Sequence, residues 1–481
     1  MIFTVTFIVN ALLNFALGVV VSAILGPAEF GRFATVTLAA TTLGTALFDW
    51  LRLSAIRFAG ETSGRAGIAA SLDAGFVAAI GALALGLAAC LLAGYSFGLG
   101  AGLLALTPFM AIAYSRCDFC AAQFRARDQG RAFAALYLLR HGLTFSFVVA
   151  VAMTTRSALA VVGALVVATL GPVILLGRQM RTQGASLRLA DRATIAGFVA
   201  YAKPIVVSTV FYQLIALITR QTSINHFGLA QAGQLALATD LGFRLFLAIN
   251  ALPENLLFQE ALVRDRTEGR ASAERQLSIN GAMVLALLAP LGVGYFAMMP
   301  TFEALVAPQA YRGAFAQLSL CLTPGFLAFC ILYSVFNPVF QLRQKTWPLT
   351  IAAIIALGVD IILIQLPYFG SDIAGLAMAY SASLCAGCLA AGLMAMRNAA
   401  VRPALRDIVV ILVASAIMLI LVRPLNAISP HWLAALLAIL VGGATIGGAV
   451  LLFNVAGLGG LFASFSSRLA SRGGALVAPK Y

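Results

Sequence analysis

The sequence predicts an all-α polytopic membrane protein of about fourteen transmembrane helices. Three observations carry this. Of 481 residues, 62% are hydrophobic and 10% are charged. The apolar stretches run unbroken for about twenty residues. Basic residues gather in alternate connections. A soluble domain carries about 25% charged residues, so this chain has too few to cover a surface facing water. Disorder needs the opposite composition, polar and charge-rich. One helix crosses a bilayer in about 20 apolar residues. A membrane-spanning strand would alternate apolar and polar over about ten positions, and these runs do neither.

Taken in order, the apolar runs mark spans at 3–25, 31–51, 68–94, 97–115, 132–153, 157–177 and 198–220, then 232–256, 277–299, 313–337, 346–366, 373–396, 407–423 and 432–453. The first begins at Met1-Ile2-Phe3. It is too long for the apolar region of a signal peptide and meets no small-residue cleavage site, so it reads as a span. The thinnest break is Gly94-Tyr95-Ser96-Phe97-Gly98 between the third and fourth spans.

Lys and Arg set the orientation. With a cytoplasmic N-terminus and alternating connections, 24 of the 31 fall on the cytoplasmic side and five on the other. Among the 24 are Arg52, Arg57, Arg65, Arg116, Arg125, Arg127, Arg131, Arg178 and Arg181. Positive residues favour the cytoplasmic face, so both termini are expected there. An odd span count would scramble the alternation. The net charge of +14 is therefore a topology signal, and because it is dispersed it implies no nucleic acid.

An internal repeat organises the spans. Gly26-Pro27-Ala28-Glu29-Phe30-Gly31 follows the first span, and Gly228-Leu229-Ala230-Gln231-Ala232-Gly233 follows the seventh. An offset of 202 superposes both glycines, Ala28 on Ala230 and Ala34 on Ala236. Each glycine pair permits a tight turn between two helices at the outer surface. Duplication, a known transporter device, predicts two six-helix lobes related by pseudo-two-fold symmetry. The expected divisions are a first lobe at 1–178, a cytoplasmic linker at 179–197, a second lobe at 198–397, two additional helices at 398–453 and a cytoplasmic tail at 454–481.

Several chemistries are missing. No lysine sits in a Gly-Lys-Ser/Thr loop, so no Walker A phosphate cradle exists. No acidic residues stand as Asp-x-Asp. His141, His226 and His431 are too far apart for a His-Glu-x-x-His zinc site. Cys117-x-x-Cys120 and Cys385-x-x-Cys388 have a zinc-like spacing but no accompanying polar ligands, which favours packing. Gly94-x-x-x-Gly98 and Gly443-x-x-x-Gly447 are expected to mark close helix contacts.

Charges inside the spans are the better lead, because one facing lipid costs at least about 2.5–3.5 kcal/mol. Arg140 and His141 lie on span five and Arg220 at the end of span seven. Asp240 and Arg244 lie on span eight, Asp360 in the middle of span eleven, and Asp49 near the inner end of span two. Four-residue spacing places Asp240 and Arg244 on one helix face, where they can pair. Two readings stand for each charge. Arg140, Arg220 and Arg244 converge on an anionic cargo, or they serve the scaffold, with Arg220 snorkelling to the interface. Asp360 and Asp49 take a coupling ion, H+ or Na+, or hydrogen-bond a neighbouring helix.

Gly26-Pro27-Ala28-Glu29-Phe30-Gly31 resembles the opening signature of bacterial polysaccharide flippases, the Wzx-like O-antigen and exopolysaccharide group of the multidrug/oligosaccharidyl-lipid/polysaccharide exporter superfamily. Tyr201-Ala202-Lys203-Pro204 is similar to that group's second-lobe start. Gln344-Lys345, Pro367-Tyr368-Phe369-Gly370 and Ala374-Gly375-Leu376-Ala377 are similar to its second-half pattern. Asp360 departs from it, since an asparagine is more usual there. The resemblance implies an alternating-access transporter, not an enzyme, in the bacterial inner membrane. It would flip an undecaprenyl-pyrophosphate-linked oligosaccharide to the periplasmic leaflet for surface polysaccharide biosynthesis. A polysaccharide polymerase and a chain-length regulator are its implied partners. The alternatives are a cation-coupled multidrug antiporter, a lipid II flippase, and a membrane-embedded polysaccharide polymerase. An antiporter of cations would want deep acids, whereas the deep charges here are mostly arginine. A polymerase would need a large catalytic loop.

Overall fold

A computed structural model describes residues 2–58, 65–92, 100–176, 187–397 and 401–458. Its first helices are α1 (Ile2–Phe58), α2 (Arg65–Leu92), α3 (Ala101–Ala126), α4 (Gly130–Thr155) and α5 (Ala158–Leu176). Next come α6 (Arg192–Thr267), α7 (Arg270–Ala297), the short α8 (Met299–Val306), α9 (Ala314–Ile331), the short α10 (Asn337–Leu342) and α11 (Trp347–Gln365). The one-turn α12 (Pro367–Gly370), α13 (Ile373–Ala395), α14 (Leu405–Val422) and α15 (His431–Leu452) complete the chain. No strand occurs among the described residues.

Among the described residues, eleven helices are long and apolar enough to cross a membrane. Two of these, α1 and α6, each hold two helices joined at a bend. With α3, whose Tyr114-Ser115-Arg116-Cys117-Asp118 stretch lowers its hydropathy, the long helices among the described residues number fourteen. The protein is a multi-pass membrane protein, as its composition predicts.

The repeat appears as backbone geometry. α1 leaves helical geometry at Gly26 (φ 71°, ψ 172°), and α6 does so at Gly228 (φ 81°, ψ 171°). Left-handed φ with extended ψ is open essentially to glycine alone. The sequence predicts connections several residues long at both places. The structure compresses each to one residue, because Pro27 is already suited to the first position of the next helix and nothing after Gly228 opposes helix.

The second glycine of each pair has a different task from the turn expected of it. Gly31 and Gly233 lie within helix and against each other. A Cβ on Gly31 would stand 2.5 Å from the Leu229 carbonyl oxygen and 3.2 Å from Gly233 Cα. A Cβ on Gly233 would strike the Pro27 carbonyl. Leu229 is the repeat equivalent of Pro27, so the contact is reciprocal. A local two-fold relation passes between these two glycines.

Residues group into two compact units. One comprises Met1–Leu245, Pro308–Leu322 and Thr346–Gly387; the other comprises Phe246–Ala307, Thr323–Lys345 and Cys388–Tyr481. In the first, α1 packs on α3, α4 and α5. Cys117 and Cys120 are core there, buried with Phe124, Phe133 and Leu136. Asp191 caps α6: its carboxylate accepts from the Thr194 hydroxyl (2.8 Å) and from the backbone N–H of Thr194 and Ala193. These bonds, the Thr194 hydroxyl foremost, hold its pKa below the usual aspartate value.

In the second unit, α7 packs on α14 and α15 around Met298, Met418, Val422 and Ala434. Its buried polar groups pair locally, Ser334 with Asn250 (2.8 Å) and Gln276 with Asn280 (2.9 Å). Gly443 and Gly447 do not mark a close helix contact: a Cβ on either would meet nothing within 4 Å. Their neighbour Gly442 faces Met418 instead, with 3.1 Å from a built Cβ to the sulfur. Gly94, Gly98, Arg178, Arg181 and the tail beyond 458 lie outside the described residues.

Candidate functional site

All six charged residues singled out in the sequence belong to the first unit. Arg140, on α4, reaches across to α3. Its guanidinium lies 2.8 Å from the Asp118 carboxylate and 5.0 Å over the ring of Tyr114. Its side chain is 12% exposed. A nearly buried guanidinium needs such a counter-charge, because an unpaired one carries a desolvation cost of several kcal/mol.

Asp240 and Arg244 do not pair, although their spacing allows it. Asp240 instead receives Arg220, at 3.4 Å. The two stand on either side of the Gly228 bend, which brings one half of α6 against the other. Arg220 is the more buried partner, its side chain 4% exposed against 33% for Asp240. It therefore has the stronger demand for a carboxylate. Snorkelling does not describe it, since the helix continues past it to the bend.

Arg244 is left to a different partner. It donates to the backbone carbonyl of Asn14 on α1. Its guanidinium lies above Gly18, where a built Cβ would stand 3.1 Å from its terminal nitrogen and 3.5 Å from Cζ. No carboxylate lies within ion-pair distance of it among the described residues. Of the three deep arginines it alone keeps an uncompensated charge. The phenol of Tyr114 lies in the fields of both Arg140 and Arg244.

Asp360, fully buried on α11, has no cation either. The Thr219 hydroxyl stands 3.5 Å from each of its oxygens. The Ser383 hydroxyl also hydrogen-bonds this carboxylate and lies 2.7 Å from the Tyr380 carbonyl. Asp49 forms a two-point pair with Arg52 three residues on, at 2.9 and 3.2 Å. Among the described residues they thus sort into two ion-paired arginines, one aspartate paired with Arg52, and one guanidinium and one carboxyl hydrogen-bonded without a counter-charge. A surface pocket of about 540 Å3, lined by Asp128, Gln129 and Arg131 among others, includes none of them.

Comparison with solved structures identifies the architecture. A structure described as lipid II flippase MurJ in an inward closed conformation matches 94% of this chain and 98% of its own, with TM-score 0.71 and 14% identity. The fold is that of MurJ. An inward-facing multidrug resistance MATE family transporter of the MOP superfamily also matches, with TM-score 0.55 and 13% identity over 82% of this chain and 95% of its own. A MATE structure in complex with MaL6 matches at TM-score 0.50 and 12% identity, over 83% and 95%. No family model matches the sequence, and no curated protein does.

Within this MurJ/MATE fold, four partners escaped sequence reasoning. Asp118 lies past the apolar run of the fourth span, which stops at 115, whereas α3 continues to Ala126. Thr219 was overshadowed by its charged neighbour. Asn14 and Gly18 have no charge to draw attention. The available signal was the helix itself: Asp118 follows Tyr114 by four residues, so both lie on one face.

Proposed function

We propose that this protein flips an anionic lipid-linked oligosaccharide, carried on undecaprenyl pyrophosphate, from the cytoplasmic to the periplasmic leaflet of a bacterial inner membrane. Arg244 carries the reading. A deep guanidinium held only by a backbone carbonyl can exchange that weak partner for a phosphate oxygen, which Arg engages in two-point geometry. Arg140 and Arg220 hold their helices through Asp118 and Asp240, and they add to the positive field. The cargo's pyrophosphate is drawn to Arg244 while its lipid tail stays in the bilayer.

Asp360 is the candidate coupling group. A buried carboxyl without a cation needs a proton or a metal ion. With the Thr219 and Ser383 hydroxyls beside it, it offers a place for H+ or Na+. Both termini face the cytoplasm on this reading, because the Lys and Arg distribution demands it. Residues 1–178 and 198–397 act as the two lobes.

Two cargoes have support. The sequence signatures favour a surface-polysaccharide repeat unit, which would bring a polymerase and a chain-length regulator as partners. The extent of the MurJ likeness favours lipid II. MATE structures match less of the chain, and the acids Asp118 and Asp240 are occupied by arginines, which disfavours export of cationic drugs.

The test is reconstitution. Proteoliposomes carrying a fluorescent undecaprenyl-pyrophosphate disaccharide should show label moving between leaflets, and Arg244→Ala should slow it at least about tenfold. Complementation of cells lacking lipid II flipping or lacking polysaccharide repeat-unit export then separates the two cargoes. Cationic dye efflux without any lipid movement overturns the proposal.

A further inference from the structure

We propose that His141 supplies the second donor of the Arg244 anion site, its Nε2–H meeting an oxygen of the cargo's pyrophosphate. This rests on the flippase reading above.

The inference starts from Asn14. Its side-chain nitrogen donates to Asn10 Oδ1 at 2.6 Å, which orients the amide. The same nitrogen stands 3.4 Å from His141 Nδ1, and its second N–H is free to point there. Nδ1 is then the acceptor and the proton sits on Nε2, a tautomer assigned from the network. His141 is 9% exposed, and its Nε2 has no hydrogen-bond partner among the described residues. A buried donor left unmet is rare in a folded protein. Asn14 also offers its carbonyl to Arg244. One residue of α1 therefore holds both a free guanidinium from α6 and an unmet imidazole donor from α4.

The chemistry fits an oxyanion. Arg244 provides charge and two-point geometry, while a neutral imidazole adds direction without a second buried charge. The Tyr137 ring, four residues earlier on α4, lies 5.8 Å away between ring centroids and tilted against the imidazole. Asn10 and Asn14 position the pair, so their role is orientation.

Binding to the purified full chain tests this, with farnesyl pyrophosphate as the probe in neutral phosphatidylcholine nanodiscs. His141→Phe keeps the ring against Tyr137 and deletes both nitrogens. His141→Gln places an amide donor near the Nε2 position. Phe should weaken binding about tenfold, and Gln should stay within about threefold of wild type. Thermal melting of each variant identifies any that fails to fold; His141→Asn, too short to reach the Nε2 position, then replaces Phe with the same expected loss. If Phe and Gln both bind like wild type while Arg244→Ala does not, the histidine is packing only. The proposal falls and the flippase reading stands. If wild type itself does not bind the probe, both fall. Added phosphatidylglycerol should not compete; full competition would mean that the site reads bulk lipid phosphate, which overturns the cargo assignment.

Discussion

At an offset of 202 residues, α1 and α6 bend at glycines with φ of 71° and 81°, yet the side chains flanking the two bends differ in kind. Position by position, Arg220 corresponds to Gly18, Asp240 to Leu38 and Arg244 to Thr42. The second repeat carries an ion pair across its bend. The first carries none, and Thr42 bonds to the Leu38 carbonyl of its own helix at 2.9 Å. The missing side chain at position 18 has a consequence, because Arg244 lies in the space that a larger residue there would fill. The two segments thus share the backbone device and differ in chemistry. The asymmetry leaves Arg244 over Gly18, at the proposed anion site.

The comparison breaks first at the ion pair. Asp240→Ala strands Arg220 nearly buried and should cost about 3–5 kcal/mol. Arg220→Ala leaves a carboxylate one-third exposed and should cost less. Thermal unfolding in detergent should show that Arg220→Ala rescues Asp240→Ala, whereas Arg244→Ala does not. Rescue by Arg244→Ala would restore the pairing that four-residue spacing suggests and refute the cross-bend pair.

The shared backbone device is tested next. Gly233→Ala drives a methyl into the Pro27 carbonyl and should destabilise by about 1–3 kcal/mol. Ala at Gly443, which faces open space, should change little. Equal melting temperatures for the two variants would remove the reciprocal contact.

The smallest effect on stability is expected at Gly18. A new methyl would meet the end of a flexible arginine at 3.1 Å and a Leu241 methyl at 3.3 Å, so Gly18→Ala should cost about 1 kcal/mol or less. Lipid translocation should nevertheless fall, since Arg244 loses its berth. Unchanged translocation would separate Gly18 from the function of Arg244.

Composition, length and the glycine pattern were legible because each acts locally. Sixty-two per cent apolar residues require a nonpolar solvent. Gly26 and Gly228 read as bends because each follows an apolar run long enough to cross the bilayer, whereas Gly31 and Gly233 stay in helix because each lies against the other's backbone. The charged residues worth attention were legible too, since burying a charge in lipid is costly at any position. Their partners were not. Spacing of four residues tells which side chains can meet on one helix, but it is silent on what a neighbouring helix offers. Arg220 outcompetes Arg244 for Asp240 because the Gly228 bend brings it close and its deeper burial raises its need. Arg244 then settles over Gly18, where α1 has no side chain in the way. Those choices depend on which surfaces face each other after packing, so only the tertiary structure could decide them.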